Sequence, residues 1–160
     1  MQHHLAPVAL AVAALAAGCG DDGAVAVDAG GPDASTLTGN RRFEQLIDGY
    51  DDLARCQAEA PPGLNCLRWL ELCANGGFVL VVTDIVNEGT YVMAGSAVTA
   101  TRQGPGDGPG SFTLTLGGAG FTSPELAGRH PWSIDTLDAD EARGLAESCA
   151  ALTGRTWWPT

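Results

Sequence analysis

Two apolar runs, LRWLELC (67–73) and FVLVVTDIV (78–86), are joined by Ala74-Asn75-Gly76-Gly77. Asn-Gly between β-formers is the strongest short-range hairpin signal, because both turn positions tolerate positive φ. This commits the middle of the chain to antiparallel sheet. NEGTY (87–91), YVMAGSAVTATRQ (91–103) and the loop GPGDGPG (104–110) follow. In SFTLTLG, Phe112, Leu114 and Leu116 alternate with Ser111, Thr113 and Thr115, the pattern of a strand with one wet face. GGAGFTSPEL (117–126) then turns again. The expectation is an antiparallel meander of four or five strands.

Helices flank it. In residues 41–57, Phe43, Leu46, Ile47, Tyr50, Leu53 and Ala54 recur at helical spacing behind a candidate Asn40 cap. Gly49 inside that run costs roughly 1 kcal/mol relative to Ala, and Asp48-Gly49 is alternatively a hairpin turn between two strands. The helix is the preferred reading. Near the C-terminus, Asp138 and Glu141 form a capping box. Leu145, Ala146, Cys149 and Leu152 then share one face, and Gly154 ends the helix. The fold class expected is α+β and β-rich, with a C-terminal helix, an N-terminal helix and two disulfides.

Residues 5–18, LAPVALAVAALAAG, are apolar but shorter than the roughly 20 residues needed to span a bilayer. Their length and position are those of a signal-peptide core. The run closes on Leu15-Ala16-Ala17-Gly18-Cys19, which resembles the lipobox of bacterial lipoproteins. That resemblance implies cleavage before Cys19, a diacylglycerol on its sulfur, and a membrane anchored through lipid. Gly20 after the Cys implies the outer membrane. Residues 20–35 lack aromatics and carry too little apolar surface to offset the entropy of ordering, so a flexible tether is expected. The division expected is a signal peptide at 1–18, lipidated Cys19 and tether at 19–35, and one globular domain at 36–160.

Five Cys is an odd count, and lipidation of Cys19 leaves Cys56, Cys66, Cys73 and Cys149. In an oxidising envelope these read as two structural disulfides. Cys66 and Cys73 lie about 10 Å apart along a helix or about 23 Å along a strand, against a Cα–Cα limit of about 7 Å. They are not partners unless the chain folds back between them. Pro61-Pro62-Gly63 would bend Cys66 back to Cys56. The preferred pairing is Cys56–Cys66 with Cys73–Cys149, and the second choice is Cys56–Cys73 with Cys66–Cys149. Cys149 would staple the C-terminal helix to the sheet.

The formal charge is −11, and all eight basic residues are Arg. With four acids in the tether, the folded part keeps 15 acids against 8 Arg, a charge of −7. Such a surface repels phosphates and anionic headgroups, which excludes nucleic acid as the expected partner. No metal or other cofactor is implied, since no CxxC pair and no calcium-loop spacing occur. No catalytic residue is assigned. His130 in GRHPW has Ser123, Ser133 and Asp135 near it in sequence, but no nucleophile elbow accompanies it. GPGDGPG lacks the donors and the Lys of a phosphate loop. Trp157 and Trp158 would point to opposite faces of a strand, leaving one free to contact a sugar or a partner.

The order of strand, Gly/Asn turn, strand, GTY, strand, loop and strand over residues 64–123 loosely resembles small lipocalin-like domains of envelope lipoproteins. That resemblance implies binding of a small apolar ligand or of another envelope protein. Three readings follow. A ligand-binding module requires an apolar cavity lined from Phe78, Leu80, Val82, Phe112, Leu114 and Leu116. An accessory envelope protein requires a filled interior and an exposed patch near Trp157 and Trp158. A hydrolase requires His130 to meet a Ser and a carboxylate. The anchor and the staples are tested together by the intact mass of protein extracted from its native membranes. The expected mass shows cleavage before Cys19, added acyl chains, and four alkylatable thiols after reduction only.

Overall fold

The computed structural model describes residues 37–104 and 109–156. The readings for the signal peptide, Cys19, the tether, Trp157 and Trp158 lie outside the described residues. Within them the strands are β1 (Arg41–Leu46), β2 (Leu67–Leu72), β3 (Gly77–Val82), β4 (Ile85–Ala94), β5 (Ala97–Gln103), β6 (Ser111–Leu116), β7 (Gly120–Thr122) and β8 (Trp132–Ile134). Helix α1 (Leu53–Glu59) lies between β1 and β2, and α2 (Ala139–Leu152) follows β8. Each strand pairs antiparallel with the next, and β8 pairs with β1 through Phe43↔Ile134 and Glu44↔Ser133. The sheet is a closed eight-stranded barrel, not an open meander of four or five strands.

The extra strands come from three places. First, residues 41–57 are not one helix. Gly49 takes φ +105, which breaks the run at the Asp48-Gly49 turn. The N-terminal part becomes β1, with Phe43 and Gln45 turned inward. The later part becomes α1, capped by Asp52, whose carboxylate accepts the Arg55 N–H at 2.8 Å. Asn40 caps no helix; its Oδ1 accepts the Ala74 N–H. Second, two apolar runs are each bent into hairpins. FVLVVTDIV turns at Thr83-Asp84 and YVMAGSAVTATRQ at Gly95-Ser96. Thr83 sits at φ +58, a strained conformation for a β-branched residue. Third, β7 and β8 span three residues each, too few to show a period. Gly120 lets them meet, because a Cβ there would strike the carbonyl of Trp132.

The Asn75-Gly76 hairpin forms as expected, although with positive φ at Gly76 and not at Asn75. Gly76 N donates to Cys73 O and Cys73 N to Gly77 O, both at 2.9 Å. The turn is therefore a three-residue loop with its last residue left-handed.

Most of the barrel interior is one apolar core, to which Gln45 of β1 and Asn87 of β4 add buried polar side chains. Phe78, Leu80, Phe112 and Leu114 are buried in it, and Val82 and Leu116 pack against it. The aromatics interlock. Phe43 meets Phe121 edge-on at 5.2 Å, Phe78 meets Phe112 in the same way, and Phe121 stacks on Trp132 at 4.9 Å. The six residues proposed to line an apolar cavity thus fill the core themselves. Outward positions carry Arg42, Glu44 and Glu88 and, across β4 to β6, Thr90, Thr99 and Thr113. The same outer face also exposes Val86 and Val92 of β4. Among the described residues no helix is long and apolar enough to cross a membrane.

Strand β3 is buried on both faces, which explains its unbroken apolar sequence. Phe78 and Leu80 face the core, while Val79 and Val81 lie under Leu145, Cys149 and Leu152 of α2. The capping box of α2 is present as read, with Asp138 accepting from Asp140 N and Glu141 N. The helix ends at Leu152, before Gly154, with the Thr153 hydroxyl donating to Ala150 O. Cys73–Cys149 joins the barrel to α2 with Cα atoms 5.5 Å apart, and Cys56–Cys66 closes the α1 loop at 5.8 Å.

The two bridges should differ in weight. Loop closure over a separation of 76 residues is worth about 4 to 5 kcal/mol, against about 3 kcal/mol over a separation of 10. Replacing Cys73 and Cys149 together by Ser should therefore lower the urea-unfolding free energy more than replacing Cys56 and Cys66. Equal losses would contradict this ranking.

Candidate functional site

On the outer wall of the barrel, a groove of about 530 Å³ runs between β1–β2 and the segment from α1 to Cys66. Strand alternation supplies one side. Arg42 and Glu44 of β1, and Leu67 and Trp69 of β2, all point outward from the core. The other side is Leu53 and Gln57 of α1, then Ala60 to Asn65.

That second wall is irregular chain held by several ties. Cys56–Cys66 closes it covalently. Ile47 N donates to Cys66 O at 3.0 Å, Leu64 N to Pro61 O at 3.1 Å, and Asn65 Nδ2 to Thr83 O at 2.9 Å. Gly63, at φ +90, makes the reversal after the two prolines.

The groove mixes an apolar wall with one charged corner. Arg42 Nη2 lies 3.0 Å from Glu71 Oε1, and Glu71 Oε2 accepts the Ser148 hydroxyl of α2 at 2.7 Å. Arg42 is thus fixed from behind. Glu44 beside it is half-buried, and burial raises its pKa above the usual carboxylate value. Nearby Asp135 raises it further by charge and by a shared hydrogen bond, while Arg42 opposes the shift. The corner therefore offers a guanidinium and a carboxyl that holds its proton to higher pH than an exposed Glu.

His130 and Ser123, which the hydrolase reading would need together, do not meet. His130 Nε2 donates to the Tyr50 carbonyl at 2.7 Å, which fixes the ring by a backbone contact. The Ser123 hydroxyl instead donates to Glu125 Oε2 and accepts the Leu126 N–H. Glu125 is exposed, and its pKa is lowered by backbone N–H groups, its own first, and by the hydroxyls of Ser123 and Thr113. This is a loop-ordering cluster with no imidazole in it. Among the described residues no group of three or more His, Cys, Asp or Glu could hold a metal ion. Comparison with protein-family models, curated proteins and solved structures found no match.

Sequence reasoning missed the groove, because Arg42 and Glu44 lie in a run read as helix and the segment from Ala60 to Asn65 was read only as a bend between two cysteines. A usable signal was present in Pro61-Pro62-Gly63 inside a short Cys56–Cys66 loop, followed by Trp69 at an outward strand position.

Glu44 carries a signed pH prediction. A carboxyl whose folded pKa is raised destabilises the fold above that pKa, and the penalty disappears below the unfolded value. Glu44→Gln should therefore stabilise the protein at neutral pH, and the gain should vanish as pH falls below about 4.3. Urea unfolding at neutral and acidic pH checks this; a loss of stability at neutral pH would contradict it.

Proposed function

We propose that this chain is a lipid-anchored cell-envelope protein that works by binding, and that its outer groove takes a small amphipathic ligand. The observation that carries the reading is the groove itself. Its volume falls within the range of small-molecule sites, roughly 300–1,000 Å³. Its lining pairs an apolar surface (Trp69, Leu53, Leu64, the two prolines) with a few convergent polar groups (Arg42, Glu44, Gln57, Asn65). The lipobox-like ending at Cys19 supports the anchor, with the outer membrane favoured, and two disulfides accord with an oxidising compartment. Lipocalin-like binding at a barrel is kept in outline. The ligand is assigned to the outer wall, because the interior is occupied by its own side chains.

A second reading is an accessory envelope protein without a ligand, favoured by that same filled interior. The hydrolase reading receives no support from His130, which engages a backbone carbonyl.

The test uses 1-anilinonaphthalene-8-sulfonate, whose fused rings suit the apolar wall and whose sulfonate suits Arg42. Gln57 is exposed on α1, so Gln57→Trp should fill the groove without touching the core. The expected result is saturable fluorescence enhancement in the wild-type protein, lost in Gln57→Trp at unchanged melting temperature. Equal enhancement in both proteins, or none in either, would overturn the ligand reading in favour of the accessory one.

A further inference from the structure

The register of β1 on β2 arranges the inner wall of the outer groove. Glu44 is the direct partner of Trp69, and Arg42 is the direct partner of Glu71. On the outer face this sets the Cβ of Glu44 about 5 Å from that of Trp69, with Arg42 one diagonal step away. Trp69 packs partly against Val79 and Val81 in the layer under α2, and it lines the groove as well. Among the described residues it is the only aromatic side chain in the groove. Across from it, Gln57 of α1 and Asn65 bring two amides.

The polar groups beside Trp69 are planar, and three of them are held by one edge. Arg42 gives Nε and Nη2 to Glu71 Oε1, at 3.3 and 3.0 Å, which leaves Nη1 outside that pair. Asn65 gives Nδ2 to Thr83 O at 2.9 Å, which leaves its Oδ1. Glu44 shares a hydrogen bond with Asp135. Gln57 is exposed.

This lining narrows the ligand by chemistry. A ligand need bring no charge, since Arg42 has its counter-ion in Glu71. A cation would meet Arg42 beside Glu44, and a single aromatic ring makes no cage for it. An extended peptide finds no free strand edge, because β1 lies between β8 and β2, and β2 between β1 and β3. What is offered is one flat apolar face with single donors and acceptors on both sides of it. Hydroxyls satisfy such a mixture, being donor and acceptor at once. A pyranose ring with equatorial hydroxyls has the matching form. Its axial C–H bonds make a flat apolar face that suits an aromatic ring, and its hydroxyls radiate from the rim. We propose that the groove is a carbohydrate site, in which a pyranose stacks on Trp69 and its hydroxyls bond to Arg42, Glu44, Asn65 and Gln57. This assignment rests on the groove reading above and adds the ligand class to it.

The experiment titrates the protein with methyl β-D-glucopyranoside and follows the Trp69 indole N–H by NMR, assigned with Trp69→Phe. The glycoside should move that resonance saturably. Sorbitol has the hydroxyls without the ring face, and cyclohexylmethanol has a ring without the hydroxyl rim. Each should need about tenfold more for the same shift. Gln57→Leu, at an exposed position, should weaken the glycoside about fivefold through loss of one hydrogen bond, without weakening cyclohexylmethanol. No saturable shift with the glycoside overturns the assignment, as does an equal response to sorbitol or a stronger one to cyclohexylmethanol. Saturation by choline or by a polyproline peptide at lower concentration than the glycoside also overturns it. The two readings fail separately. Enhancement of 1-anilinonaphthalene-8-sulfonate that is lost in Gln57→Trp, with no glycoside shift, removes the sugar and keeps the groove. No enhancement and no shift removes both.

Discussion

Closure of the barrel rests on the pairing of β8 with β1, one of three seams held by two residue pairs each. Two residue pairs and the Asp135 N–H to Arg42 carbonyl bond hold that seam along the backbone. Neighbouring strands from β1 to β6 are joined by four to seven pairs each. Side chains supply the rest, through the contact of Phe43 with Phe121 and the stacking of Phe121 on Trp132. These three rings come from β1, β7 and β8, so the aromatic cluster spans the join that short strands could not secure by ladder alone. Were the seam to open, β1 would become an edge, and the groove that uses its outer face would lose one wall.

A second layer depends on the first. Helix α2 covers β3 from outside, and β3 then needs apolar residues on both faces. The helix is held in its C-terminal half by Cys73–Cys149, by Ser148 on Glu71, and by Asn75 Nδ2 on the Cys149 carbonyl. At its end Arg155 meets Glu88 of β4. Glu71 therefore links three elements, since it receives Arg42 from β1 and Ser148 from α2 while sitting on β2. The staple that positions the helix also fixes the cation at the groove's corner.

Much of the central sheet was legible in the sequence because its signals are local. Asn75-Gly76 marks a turn by backbone preference alone, and Phe112, Leu114 and Leu116 mark a strand by simple alternation. The α2 capping box is likewise contained in four residues. The cysteine pairing was legible through distance limits and through the bend at Pro61-Pro62-Gly63. What escaped was set by tertiary contact. The helical spacing from Phe43 to Ala54 was real, but closure of the barrel recruited Phe43 and Gln45 as inward residues of a strand. Strands β7 and β8 are too short to carry a period and exist because Phe121 and Trp132 stack. The Thr83-Asp84 hairpin had no glycine to announce it. The groove was invisible for a related reason, since its two walls meet through register and a disulfide.

The Cys56–Cys66 bridge has a consequence for where the groove can exist. Its wall from Ala60 to Asn65 has almost no buried apolar surface of its own and hangs on one covalent tie and a few backbone bonds. With both sulfurs reduced, the polypeptide would still close its barrel around the same aromatic core. The wall, however, would be free to wander and the recess beside Trp69 would lose its shape. The shape of the recess is therefore tied to the Cys56–Cys66 bridge more closely than that of the barrel behind it.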